Sequence, residues 1–107
     1  MENKAIILSR VSSNHQTLEQ QTEAVLKEVR KDGYTDGNII IIEDKESAIK
    51  LSEEERNGLN RMKECIKNDP SINAVYLYEL SRLSRRQTIL FNIRDFLIER
   101  KIQLICL

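Results

Sequence analysis

The sequence has few of the residues from which several common kinds of functional site are built. Its 107 residues include one histidine, His15, and two cysteines, Cys65 and Cys106, which are far apart in apolar surroundings. A zinc site of cysteines and histidines, and a Ser-His-Asp triad built on another histidine, are both weakly supported. We therefore expect no metal site and no disulfide, and both cysteines are predicted to be reduced core residues.

The sequence also lacks a long apolar run, a signal peptide and an excess of charge. Without a membrane-length run, we expect a soluble, cytoplasmic protein of one domain or part of one. Lysine plus arginine and aspartate plus glutamate balance at 17 each, so only a local basic cluster could attract nucleic acid. The three glycines stand at 33, 37 and 58. None flanks the turn at Ser12, which argues against a generic doubly wound module that binds a nucleotide or phosphometabolite through a glycine-rich loop.

What the sequence does contain is a regular alternation of strand and helix patterns. Short apolar runs predict four strands, at 5–8, 38–42, 72–78 and 103–107. Apolar residues at helical spacing predict three helices, at 17–31, from 52–55 to 68–70, and at 88–100. Strands that alternate with helices are joined by right-handed crossovers. The predicted fold class is therefore α/β, a mostly parallel four-stranded sheet with helices on both faces.

The same patterns identify residues that we expect to face the core. Gly33 follows the first helix, where a left-handed residue is favoured. The isoleucine run at 39–42 is typical of a buried strand. The predicted inward residues of the three helices are Leu18, Val25 and Val29, then Leu59, Met62 and Ile66, then Ile89, Ile93, Phe96 and Leu97.

Polar segments follow the first three predicted strands, and a parallel sheet brings such segments to one edge. The first segment offers Arg10 and Ser12, the second leads to Arg56, and the third contains Arg82 and Arg85. Several guanidinium groups around one serine hydroxyl suit attack on a phosphodiester, because they neutralise its charge and stabilise the transition state. The alternative is ordinary turn residues and a solvated helix start. Cationic residues at a helix N-terminus oppose its dipole, which favours a functional role.

Three motifs, in this order and over almost the whole chain, resemble those of the serine recombinases, the resolvase and invertase group. They are Arg10-Val11-Ser12 followed by Gln16, Asp44-Lys45-Glu46-Ser47 followed by Arg56, and Leu80-Ser81-Arg82-Leu83-Ser84-Arg85. The resemblance implies a resolvase-like catalytic domain over residues 1–107, truncated at its C-terminus. A long linking helix and a DNA-binding region would then lie beyond residue 107.

The resemblance also implies the chemistry. Ser12 is expected to be the nucleophile that cleaves and rejoins double-stranded DNA through a 5′-phosphoserine intermediate, without a cofactor. The implied catalytic arginines are Arg10, Arg56, Arg82 and Arg85, and the implied supporting residues are Gln16, Asp44 and Ser47. The implied partners are DNA and a second subunit, with homodimers assembling into a tetramer in the full-length protein. The expected location is the cytoplasm, at the nucleoid when DNA is bound.

Two positions depart from the family pattern. Leu8 stands where the family has a tyrosine, and Ser81 stands where it has an aspartate. The interval from Ser47 to Arg56 is also a few residues longer than usual, and Glu79 is a candidate substitute for the lost carboxylate. These departures support a second hypothesis, a regulatory or dimerisation domain of the same fold that no longer cuts DNA.

Overall fold

The strands and helices alternate along the chain as predicted. The computed structural model describes residues 3–10, 18–44, 57–78 and 87–107. Four strands and three helices occur in these ranges, together with a 3₁₀ turn at Asp36–Asn38 before the second strand. In chain order they are β1 (Lys4–Arg10), α1 (Leu18–Lys31), β2 (Ile39–Asp44), α2 (Asn57–Asn68), β3 (Ile72–Leu77), α3 (Gln87–Glu99) and β4 (Gln103–Cys106).

The four strands form one parallel sheet in the order β2-β1-β3-β4. The two central strands, β1 and β3, carry the residues that are buried from both sides. Side chains alternate between the two faces of a strand, and β1 shows this directly. Ile6 and Leu8 belong to one buried cluster, while Ala5 and Ile7 belong to another. The predicted α/β class with helices on both faces is confirmed.

Each face of the sheet has its own hydrophobic core. On one face, α1 packs Val25, Leu26 and Val29 against the strands. On the other face, α2 and α3 contribute the stripes predicted from the sequence, namely Leu59, Met62 and Ile66, then Ile89, Ile93 and Leu97. Phe96, also predicted to point inward, is only partly buried. Its ring is covered instead by the Arg100 guanidinium, 3.8 Å from the ring centroid.

Two helices end in the same hydrogen-bonded turn. After α1, the backbone N–H of Gly33 donates to the carbonyl of Arg30 and that of Tyr34 donates to Val29, with Gly33 at φ +104°. This is the left-handed helix end predicted for Gly33. After α3, the matching position is Lys101, at φ +59°. A lysine is sterically strained in this left-handed conformation, whereas glycine is not.

Several predicted features differ from the structure. Asn38 belongs to the 3₁₀ turn, and the second strand, predicted to end at residue 42, continues through Glu43 and Asp44. β2 is an edge strand, so only Ile42 of its isoleucine run is fully buried and Ile41 is 42% exposed. Leu18 begins α1, but its side chain, like the predicted start of α2 at 52–55, lies outside what the structure describes.

The cysteine prediction is half right. Both thiols are free, and Cys65 is partly buried, but Cys106 is exposed rather than part of the core. Cys106 ends β4, the other edge strand, where one side of the strand has no neighbour. In the described parts of the chain, no helix is both long and apolar enough to cross a membrane.

Candidate active site

The carboxyl ends of β1 and β2 place two of the expected site residues side by side. Arg10 is the last residue of β1 and Asp44 the last of β2, and the two are direct partners in the parallel register. The neighbouring strand β3 ends close by, since its Leu77 pairs with Leu8 of β1. The chain therefore leaves the sheet at one common edge towards residues 11–17, 45–56 and 79–86, as the sequence predicted.

A partly buried polar cluster begins one residue before this edge. Ser9 Oγ is 2.9 Å from Thr22 Oγ1, and Thr22 Oγ1 is 3.5 Å from a carboxylate oxygen of Glu43. Ser9 and Thr22 are the only polar residues among the buried ones described. Ser9 and Glu43 are also register partners on β1 and β2. We call Ser9, Thr22 and Glu43 the edge cluster.

The other expected site residues lie outside the described ranges. These are Ser12, Gln16, Ser47, Arg56, Arg82 and Arg85, together with the departing Ser81 and its candidate substitute Glu79. Arg10 and Asp44 are placed by their backbones, as the ends of adjacent strands. The roles of all these residues therefore stay predictions. Among the described residues, no cluster of three or more His, Cys, Asp or Glu side chains could hold a metal ion.

The family model "Resolvase, N terminal domain" matches residues 5–107. The chain belongs to the resolvase family. The resemblance to the resolvase family drawn from the three motifs is therefore confirmed. No curated protein sequence matches the chain.

Three solved structures share the fold of this resolvase domain. The N-terminal catalytic domain of TP901-1 integrase is 27% identical with a TM-score of 0.79, over 97% of this chain and 76% of that one. The C-terminal catalytic domain of ISC1926 TnpA, an IS607-like serine recombinase, is 22% identical with a TM-score of 0.78, over 94% and 65%. A resolvase family site-specific recombinase from Streptococcus pneumoniae is 23% identical with a TM-score of 0.74, over 98% and 72%.

Leu8, which stands where a tyrosine is expected from the family pattern, is fully buried in the core of the resolvase domain. Its side chain is fully buried in the cluster beneath α2 and α3. Its register partners Ile42 and Leu77, on either side, are buried in the same cluster. A leucine at this position therefore serves packing and brings no hydroxyl to the sheet edge.

Two further polar contacts hold the resolvase domain together away from the candidate site. At the amino ends of β1 and β3, Lys4 Nζ donates to Asp69 at 2.7 Å, and Ser71 donates to the same carboxylate. The Lys4 hydrogen bond, followed by those from Ser71, lowers the pKa of Asp69 to about 2.

On the face covered by α1, the Tyr76 hydroxyl donates to Asp32 at 2.6 Å. Burial of the ring, and then the acceptor Asp32, raise the pKa of Tyr76. The ring of Tyr34 meets Tyr76 edge to face, with the centroids 6.2 Å apart. These contacts fix α1 against β3 and are structural.

Proposed function

We propose that this chain is the catalytic domain of a site-specific DNA recombinase. In the proposed reaction, Ser12 Oγ attacks a backbone phosphorus of double-stranded DNA. A bond forms between Oγ and phosphorus and the bond between phosphorus and the 3′ oxygen breaks; the serine hydroxyl loses a proton, and the leaving 3′ oxygen gains one and becomes the 3′ hydroxyl. After strand exchange the 3′ hydroxyl attacks the phosphoserine and restores both groups, so no cofactor and no external energy source are needed.

One observation carries this proposal. In this resolvase-family chain, the strand that precedes Ser12 ends beside the strand that ends at Asp44 and precedes Ser47. Arg10 and Asp44 are register partners at that edge, and Ser12 follows Arg10 by two residues. Parallel α/β sheets place reacting groups at this carboxyl edge.

The arginines are proposed to do most of the catalytic work. A serine hydroxyl is a weak nucleophile at its ordinary pKa. Positive charge close to the phosphate stabilises the extra negative charge of the transition state. We assign this role to Arg10, Arg56, Arg82 and Arg85, and we assign orientation of the phosphate and the arginines to Gln16, Asp44 and Ser47.

The proposed partner is double-stranded DNA, bound by subunits that pair and assemble into a tetramer for strand exchange. Residues 1–107 have a formal net charge of zero, so these residues supply little of the nonspecific phosphate attraction on which DNA affinity depends. That DNA recognition uses residues beyond 107, and that the protein works in the cytoplasm, stay predictions.

The test is a covalent adduct with DNA. The protein at its natural length is incubated with a 3′-end-labelled duplex obtained by binding selection from a random-sequence pool, and adducts are resolved on a denaturing gel. We expect an adduct with the wild-type protein and with Ser13→Ala, the matched control for the neighbouring serine, but none with Ser12→Ala. An adduct formed by Ser12→Ala would refute the assignment. DNA binding without any wild-type adduct would favour the regulatory domain that no longer cuts.

A further inference from the structure

The edge cluster joins three segments of the chain that are far apart in sequence. Ser9 is 1% exposed and precedes the last residue of β1, whereas Thr22, 9% exposed, lies one turn into α1. Glu43, at the end of β2, is exposed to solvent. The two hydroxyls are 2.9 Å apart, and Thr22 is 3.5 Å from the Glu43 carboxylate.

Thr22 links the other two members of the edge cluster. Its hydroxyl forms the 2.9 Å hydrogen bond with Ser9, in which either hydroxyl can be the donor. Its contact with the Glu43 carboxylate, in which Thr22 is the donor, is the longer one at 3.5 Å. Thr22 is therefore the group on which the edge cluster depends.

Attachment of α1 to the sheet does not require this polar contact. The helix already buries Val25, Leu26 and Val29 against Ala5 and Ile7. Two buried hydroxyls lose their hydration on folding, and an apolar pair of similar shape in their place is commonly neutral or stabilising. A contact that packing does not need, located at the sheet edge from which the candidate catalytic segments leave, is a candidate for a functional role.

We propose that Thr22 and Ser9 are positioning residues for the nucleophile. Residues 11–17, which include Ser12, connect β1 to α1, and the hydrogen bond between Ser9 and Thr22 joins the strand before that segment to the helix after it. Glu43, whose carboxylate is 3.5 Å from Thr22 Oγ1, precedes Asp44 at the end of β2. This inference rests on the proposed function, since it deepens the role of the same site. Attack on phosphorus demands close alignment, and a misplacement of about 1 Å can cost roughly 100-fold in rate.

The experiment measures two quantities on the full chain with the selected duplex: the single-turnover rate of adduct formation and the dissociation constant from a gel shift. Thr22→Val keeps the size and branching of the side chain but removes the hydroxyl. Thr22→Ser keeps the hydroxyl. The double variant Ser9→Ala/Thr22→Val removes both polar groups, so that neither hydroxyl is left buried without its partner. Thr35→Val is the matched control, because it removes a threonine hydroxyl that accepts from Asn38 at 3.0 Å away from this edge.

We expect Thr22→Val and the double variant to form adduct at least about tenfold more slowly, with little change in DNA affinity, because alignment and not binding is lost. Thr22→Ser should restore most of the rate. If the contact were only structural, the double variant would be more stable than Thr22→Val and would form adduct at the wild-type rate. A wild-type rate in the double variant, or no rescue by Thr22→Ser, would overturn the inference.

Failure of the proposed function has a different signature. In that case the wild-type protein itself forms no Ser12-dependent adduct, and the positioning role of Ser9 and Thr22 is refuted together with the proposed function. If Thr22→Val does not fold, the comparison of Thr22→Ser with the double variant decides the question.

Discussion

Replacing Leu8 by the family's tyrosine should destabilise the domain. Leu8 is fully buried between Ile42 and Leu77. A larger ring in such a site forces neighbours aside at a cost of about 1–3 kcal/mol. A hydroxyl buried there without a partner costs about 1–3 kcal/mol more. Leu8→Tyr should therefore lose about 2–6 kcal/mol of the roughly 5–15 kcal/mol that holds a typical domain folded.

The matched control is Leu8→Phe, which adds the ring without the hydroxyl. Urea unfolding followed by circular dichroism gives the midpoint and slope for wild type and both variants, and equal slopes permit direct comparison of the free energies of unfolding. We expect the order wild type, Leu8→Phe, Leu8→Tyr, from most to least stable. A tyrosine variant as stable as the phenylalanine variant would refute the reasoning. It would mean that the hydroxyl finds a polar partner and that position 8 reaches the sheet edge.

Three further predictions concern other parts of the chain. The raised pKa of Tyr76 means that its contribution to stability is complete below pH 10 and is lost as pH rises above 10. Tyr76→Phe removes the hydrogen bond to Asp32, so at pH 7 its free energy of unfolding should be about 1 kcal/mol lower than that of wild type. Between pH 9 and pH 11, however, the urea midpoint of the variant should fall less than that of wild type. Lys101→Gly should raise the free energy of unfolding, measured by urea denaturation, by up to about 1 kcal/mol, because glycine is not strained in the left-handed conformation; Gly33→Ala should lower it by a similar amount. Lysine replacement of each proposed catalytic arginine should lower the single-turnover rate about 100-fold or more, because an ammonium cannot bind two phosphate oxygens as the planar guanidinium does; near-normal rates would make these residues structural. The arginines concerned are Arg10, Arg56, Arg82 and Arg85.

The elements of this fold could be predicted because each is encoded locally. The stripe of Leu59, Met62 and Ile66 has the helical period, and the structure buries all three. Gly33 follows α1 as predicted, because glycine adopts a left-handed conformation without steric strain. Lys101 occupies the same turn after α3 without such a signal, so that helix end could not be recognised from the residue type.

Strand order was the main property that local patterns could not supply. The isoleucine run of β2 was interpreted as buried, but β2 has a neighbour on one side only. Ile41 is exposed for this reason. The same cause exposes Cys106 at the end of β4, the opposite edge. A run of apolar residues shows that a strand forms, whereas its position in the sheet depends on contacts with distant segments.

The edge cluster shows why a site predicted from motifs is incomplete. Arg10 and Ser12 could be proposed from sequence because a guanidinium and a hydroxyl suit a phosphodiester, and Asp44 could be proposed because it matches a motif of the family. Ser9 and Thr22 carry no such signal, since a hydroxyl at a strand end or on a helix is usually an ordinary polar residue. The two hydroxyls come within 2.9 Å of each other only when α1 packs against β1 in the folded domain. If the positioning role is correct, the alignment of Ser12 depends on a contact between residues 13 positions apart that no motif contains.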